Sequence, residues 1–245
     1  MLNSRFFGRT IRMFFVTLAF TQVLWSKTSP SSPPAPVKEY TFEDGLKKLY
    51  MHRFKDAVGI FKSHAKKSKY FHSYYSTLHI QKYVYLEDWD KLISLPSPSP
   101  KLEPIGLLMN YLGKGMAFAA KHKTVEAIQQ LKLINSLAKS PSLKASPLSL
   151  AEVEFSTNFL MGYIRMQERK YKASARQFKA AHKKELELPV YNPFSWVFNS
   201  MYYLGVVYEI LDQKIKAIQI YETLLDRLPQ YPKARQNLNT LQSKK

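Results

Sequence analysis

Cysteine is absent from the 245 residues. That excludes a disulfide scaffold, thiolate zinc ligation, a thiol nucleophile and lipid attachment through sulfur. Glycine is scarce, with eight residues, so no collagen-like or glycine-rich filament is encoded. Acid is in deficit: 18 Asp and Glu stand against 37 Lys and Arg, a formal charge of +19. Alternating β-branched runs bounded by Asn-Gly or Asp-Gly turns are also missing, which removes the usual signature of hairpin sheets. What remains is 45% hydrophobic and 22% charged, an ordinary composition for a chain that folds around a core.

The most apolar stretch is Met13 to Trp25, behind Arg5, Arg9 and Arg12 and with no acid before it. As a helix it would reach ~20 Å, short of the ~30 Å hydrocarbon core. A basic start, a short apolar run and small polar residues form the layout of a secretory leader. Residues 1–26 are therefore expected to direct export, either as a cleaved signal peptide or as an uncleaved membrane anchor. The expected location is periplasmic or extracellular, or the membrane if the segment is retained. Residues 27–37 hold four Pro and three Ser and read as an extended linker. Residues 38–245 form the folded body.

In the body, apolar residues recur three and four apart, the helical period. An internal frame runs through it. Gly45, Gly115, Gly162 and Gly205 each stand twelve residues before a small residue: Ala57, Ala127, Ser174 and Ala217. A larger residue follows four later: Phe61, Leu131, Phe178 and Tyr221. Two antiparallel helices joined by a short turn approach closely only where facing residues are small. Glycine inside a helix costs ~1 kcal/mol relative to Ala, so its repeated placement points to packing. The larger residue is expected to fill the gap toward the following hairpin.

The last unit is the clearest, with Leu204, Gly205, Tyr208, Ala217, Tyr221 and Pro229 in one frame. It resembles the tetratricopeptide repeat, a 34-residue helical hairpin. Around Gly162 the unit keeps Met161, Tyr171, Phe178 and Ala181 but carries Arg165 where the motif has an aromatic. Leu107 to Leu228, including Pro189, Tyr191, Asn192 and Trp196, is similar to the later part of uncharacterised bacterial tetratricopeptide proteins; Asn192 stands where those carry an acid. The resemblance implies an all-α, right-handed superhelix of antiparallel hairpins, a tetratricopeptide-like α-solenoid. Helices are expected over 40–51, 54–67, 70–84, 87–94, 103–121, 124–138, 148–168, 171–185, 194–212, 214–227 and 231–242. Proline-containing breaks at 94–101 and 140–147 interrupt them.

Signs of chemistry are few. The six histidines form no His-Glu-x-x-His pair, and neither a Gly-x-x-x-x-Gly-Lys loop nor a Gly-x-Ser-x-Gly turn occurs. Glu185 and Glu187 are two apart and do not face each other on a helix. The expectation is a non-enzymatic protein with no cofactor and no metal site.

Function then rests on surfaces. In this repeat class the first helix of each hairpin lines the concave face, and the frame places Phe159, Tyr163, Met166, Asn199, Tyr202, Val206 and Glu209 there. These mostly apolar positions suit a peptide or partner helix held by apolar anchors. Tyrosine offers a packing face and a hydroxyl, and Glu209 is expected to meet a cation of the partner. Lysine outnumbers arginine 28 to 9, in clusters at Lys66, Lys67 and Lys69, at Lys121 and Lys123, and at Lys183 and Lys184. The leading expectation is a protein-interaction scaffold with a protein or peptide partner. The alternative is electrostatic binding of polyanions or an anionic membrane surface. Nucleic acid is disfavoured by the lysine bias and the export layout.

Overall fold

In a computed structural model, the chain divides after Lys38 into a short N-terminal unit and a helical unit. The described residues are 40–243, excepting 51–52, 67–71, 73–74, 76, 100–101, 145–149 and 189–196. The expected leader and linker therefore lie outside them.

The described residues are all-helical, with no strand among them. The helices are α1 (Phe42–Tyr50), α2 (Phe54–Ala65), α3 (Leu78–Leu86), α4 (Trp89–Ser94), α5 (Pro104–Ala120) and α6 (Thr124–Leu137). There follow α7 (Pro141–Lys144), α8 (Leu150–Gln167), α9 (Tyr171–Glu185), α10 (Ser200–Ile210), α11 (Lys214–Arg227) and α12 (Pro232–Ser243). The pairs α1/α2, α3/α4, α5/α6, α8/α9 and α10/α11 pack as hairpins. First helices also pack on first helices, α3 on α5, α5 on α8 and α8 on α10, and α12 closes against α11.

All five hairpins turn in the same way. The N–H of Arg53, Asp88, Lys123, Lys170 and Gln213 donates to the carbonyl five residues earlier, at 2.8–2.9 Å. The residue before each of the last four is left-handed: Glu87, His122, Arg169 and Asp212, with φ of 55–61°. This six-residue closure satisfies orphan carbonyls at the end of the first helix. The carbonyl of the turn residue then accepts from the N–H four later, at Ala57, Leu92, Ala127, Ser174 and Ala217. The small residue of the frame is thus the one whose N–H closes the first turn of the second helix, and Ala57, Ala127, Ser174 and Ala217 are all fully buried. Ser174 adds a bond across the hairpin, its hydroxyl donating to the Gly162 carbonyl at 2.8 Å.

The role of the larger residue is wider than the expectation. Besides the gap toward the next hairpin, which Phe178 fills by stacking on Tyr203 at 5.7 Å, it covers the glycine of its own. A Cβ on Gly45 would stand 2.8 Å from the Phe61 ring, and one on Gly162 would stand 3.0 Å from the Phe178 ring. On Gly205 it would run into Tyr221. Gly115 is the exception: Leu160 of α8, not Leu131, lies 2.5 Å from its Cβ position.

The α3/α4 hairpin has the shared turn without the frame. Its equivalent positions hold Ile80 and Leu92, both fully buried. The space for Ile80 comes from the neighbouring hairpin, where a Cβ on Gly113 would stand 2.5 Å from the Ile80 methyl. A search for glycines therefore passes over this unit.

Element ends follow the caps. Thr41 and Asp44 exchange backbone-to-side-chain hydrogen bonds at 2.9 and 3.1 Å, a reciprocal box at the start of α1. The helix expected from 194 begins at Ser200, because the Asn199 side chain accepts from the Tyr202 N–H at 2.9 Å. The 140–147 break contains the single turn α7, and α3 runs two residues past its expected end.

Candidate partner-binding face

Helices α8 and α10 carry the seven positions expected to face a ligand, and the structure divides them. Phe159 is fully buried. Its ring lies 5.4–5.8 Å from those of Phe155, Phe178, Phe198 and Tyr203, mostly edge to face. Tyr163 is buried between Tyr203, at 5.4 Å, and Trp89, at 6.3 Å. Burial pushes its hydroxyl pKa well up, and the Glu87 charge adds to the shift. Asn199 is buried as the cap of α10. These three are core residues, not ligand contacts. The reason is mutual: α8 and α10 sit close enough for their aromatic positions to pack on one another.

Met166, Tyr202, Val206 and Glu209 remain half-buried. Tyr202, Val206 and Glu209 are spaced by four and three, so they share one face of α10. The Tyr202 ring leans on Tyr203, Tyr231 and Tyr221 at 5.1, 5.6 and 6.2 Å. Its pKa is pushed up to about 12, first by burial and then by the Glu87 and Glu209 charges. The phenol is thus a neutral donor at physiological pH.

Glu209 is engaged from within. Its Oε1 accepts from the Tyr221 hydroxyl at 2.5 Å and from Asn237 Nδ2 at 3.0 Å, and Asn237 also donates to the Tyr221 hydroxyl at 3.0 Å. Burial and the bond to Glu209 together raise the Tyr221 pKa. The triangle ties α10, α11 and α12 together. The expectation that Glu209 waits for a partner's cation is thereby corrected for one of its two oxygens.

The opposite edge of this face comes from far away in sequence. Lys233, at the start of α12, pairs with Glu87 in the α3–α4 turn at 2.7 Å and sits 5.3 Å over the Tyr85 ring. Tyr85, Glu87 and Trp89 therefore border the same face as Tyr202 and Tyr231. In the sequence, Tyr85 and Trp89 stand in the first half of the chain, with nothing to join them to Lys233. No local pattern spans 146 positions, so only tertiary packing reveals the pair.

Chemistry is thin elsewhere. Lys114 is nearly buried, and its Nζ donates to the Leu95 and Pro96 carbonyls at 2.6 and 3.1 Å. Burial lowers its pKa. It caps the end of α4 and makes no ion pair with an acid among the described residues. No group of three or more potential metal ligands occurs among the described residues. No helix of the described residues is long and apolar enough to cross a membrane. No protein-family model matches the chain, and no curated protein or solved structure matches it significantly.

Proposed function

We propose that this chain is a non-enzymatic protein-interaction scaffold, a tetratricopeptide-like superhelix of hairpins. It holds a peptide or partner helix on the inner face of α8 and α10. The observation that supports this reading most directly is the half-exposed strip of Met166, Tyr202, Val206 and Glu209. An apolar thioether stands on α8, and a branched aliphatic and a neutral phenol share one face of α10. The phenol donates a hydrogen bond while its ring packs, a combination suited to apolar-anchored peptides. Tyr85, Trp89 and the Glu87–Lys233 pair form its border. The proposed setting is outside the cytosol, after export directed by residues 1–26, which fractionation with N-terminal sequencing of the product tests.

The test of the binding face is crosslinked capture in the native host with Val206→Glu and Met166→Glu. Both positions are half-exposed, so thermal melts should stay within a few degrees while capture of the specific partner is lost. Unchanged capture with both charges installed overturns the reading.

A further inference from the structure

Helix α9 carries a second surface, on the side opposite its core contacts. Lys172, Arg176, Lys179 and Lys183 are all exposed and are spaced by four, three and four. At ~100° per residue they fall within about 60° of the helix circumference. The buried residues Ser174, Phe178, Ala181 and Glu185 lie on the other side. The ridge contains no acid. The one acid of α9 is Glu185, buried and accepting from the Ser200 hydroxyl. Lys184, one residue away, is occupied by Glu154 and Glu187 at 2.7 and 3.3 Å, whereas the four ridge residues have no acidic partner among the described residues.

Two further features give the ridge a character. Lys216 of α11 and Lys179 both stand over the Tyr208 ring, at 5.7 and 5.9 Å, so a fifth cation adjoins the row. Leu186 follows Lys183 by three residues in helical conformation and is 60% exposed. It lies on the ridge face, at its end. The same register on the other second helices carries fewer cations: α2 has Lys55, Lys62 and Lys66 with Gly59, α6 has Lys132 with Val125, Gln129 and Ser136, and α11 has Ile215, Gln219, Glu222 and Asp226. The α9 ridge is therefore the most basic of these rows among the described residues, with a cation at all four positions.

We propose that the α9 ridge docks the protein on an anionic lipid surface. A straight row of three lysines and one arginine with an exposed leucine at one end fits a planar array of phosphates above hydrocarbon. The ridge exposes no aromatic for base stacking and only one arginine, which sets it apart from a nucleic-acid reader. Because the apolar side of α9 is already packed in the core, docking is electrostatic, reversible and sensitive to salt. This surface is separate from the α8/α10 face, and its test does not depend on that reading.

The experiment is co-sedimentation of the full chain with phosphatidylcholine vesicles, with and without phosphatidylglycerol. The variant is Lys172→Gln/Arg176→Gln/Lys179→Gln/Lys183→Gln. A control removes the same charge elsewhere, by Lys55→Gln/Lys62→Gln/Lys132→Gln/Lys139→Gln, all at exposed positions. Each basic residue near such a surface contributes about five-fold in affinity. The ridge variant should therefore lose on the order of a hundred-fold or more for anionic vesicles, and the control much less. Leu186→Ser should weaken what binding persists at high salt. Should the ridge variant lose its helical circular dichroism, Lys172→Gln and Lys183→Gln singly, each at about five-fold, take its place. Equal losses in ridge and control variants, or undiminished binding by the ridge variant, overturn the proposal. So does duplex DNA that binds through these four residues when anionic vesicles do not.

Discussion

Replacing Gly205 by alanine should destabilise the protein, although alanine is the better helix former. Relative to glycine, alanine in a helix interior gains ~1 kcal/mol. Against this stands Tyr221, fully buried, with Cζ 2.6 Å and Cδ1 2.9 Å from where the new methyl would sit. The ring must retreat by most of an ångström, and its hydroxyl is held by Glu209 and Asn237. Overpacking of this kind costs ~1–3 kcal/mol, and the tether argues for the upper end. The net expectation is a loss of about 2 kcal/mol, or a fall in Tm of roughly 4–8 °C for a chain of this size. Two companions calibrate it. Gly59 sits in α2 with nothing within 4 Å of its Cβ position, so Gly59→Ala should stabilise by about 0.5–1 kcal/mol. Gly162→Ala meets Phe178 at 3.0 Å, a few tenths of an ångström too close, and should fall between. Denaturant titration of all three gives the order. The tether is tested separately: Gly205→Ala with Tyr221→Phe should cost less than the sum of the two, because a ring without its hydroxyl is free to move aside. A Gly205→Ala protein as stable as Gly59→Ala would refute the close approach.

The left-handed turn residues His122 and Arg169 hold conformations that cost an L-residue roughly 1–2 kcal/mol. Changing either to glycine should raise stability by up to about 1 kcal/mol, measured by chemical denaturation; a loss would show that the side chain does more than turn the chain. Tyr163, Tyr202, Tyr203 and Tyr221 all have raised pKa values in the folded state, chiefly through burial. The unfolded chain therefore releases these protons first, near pH 10, and stability falls as pH rises above that point. Four such groups give a slope of up to about 5 kcal/mol per pH unit. Alkaline unfolding should coincide with tyrosinate absorbance, and gradual ionisation without loss of helical signal would contradict the burial of these rings.

The hairpin plan was legible in the sequence because it depends on spacing. A helix, a closed turn and a second helix place Gly205, Ala217 and Tyr221 at fixed separations, and the same holds around Gly45 and Gly162. The α3/α4 hairpin stands outside the glycine frame because its hollow is cut into another unit, at Gly113. The expected ligand face was half legible. Periodicity put Phe159 and Tyr163 on the correct helix and Asn199 inside one that it only caps, but it does not say how near α8 stands to α10, and at the observed spacing these positions are core. Glu87 and Lys233 were beyond reach, since their meeting depends on every hairpin stacked between them. The basic excess was visible as a count; its concentration on one side of α9 emerges only when Glu185 is seen to turn inward.

The hollows on α5 have a consequence for how freely the units can be exchanged. In the α1/α2, α8/α9 and α10/α11 hairpins, the ring that fits over the glycine belongs to the same pair, so each carries its own plug. Helix α5 is different: Gly113 receives Ile80 from the pair before it, and Gly115 receives Leu160 from the pair after it. It works as a keyed coupling between two halves. Deleting or duplicating a module at the α9–α10 junction would leave every plug with its socket. A cut made on either side of α5 would strand a knob without its hole, so the order of modules around α5 is written into the chain, while the α9–α10 junction is held by ring contacts on Tyr203 and by the Ser200–Glu185 bond.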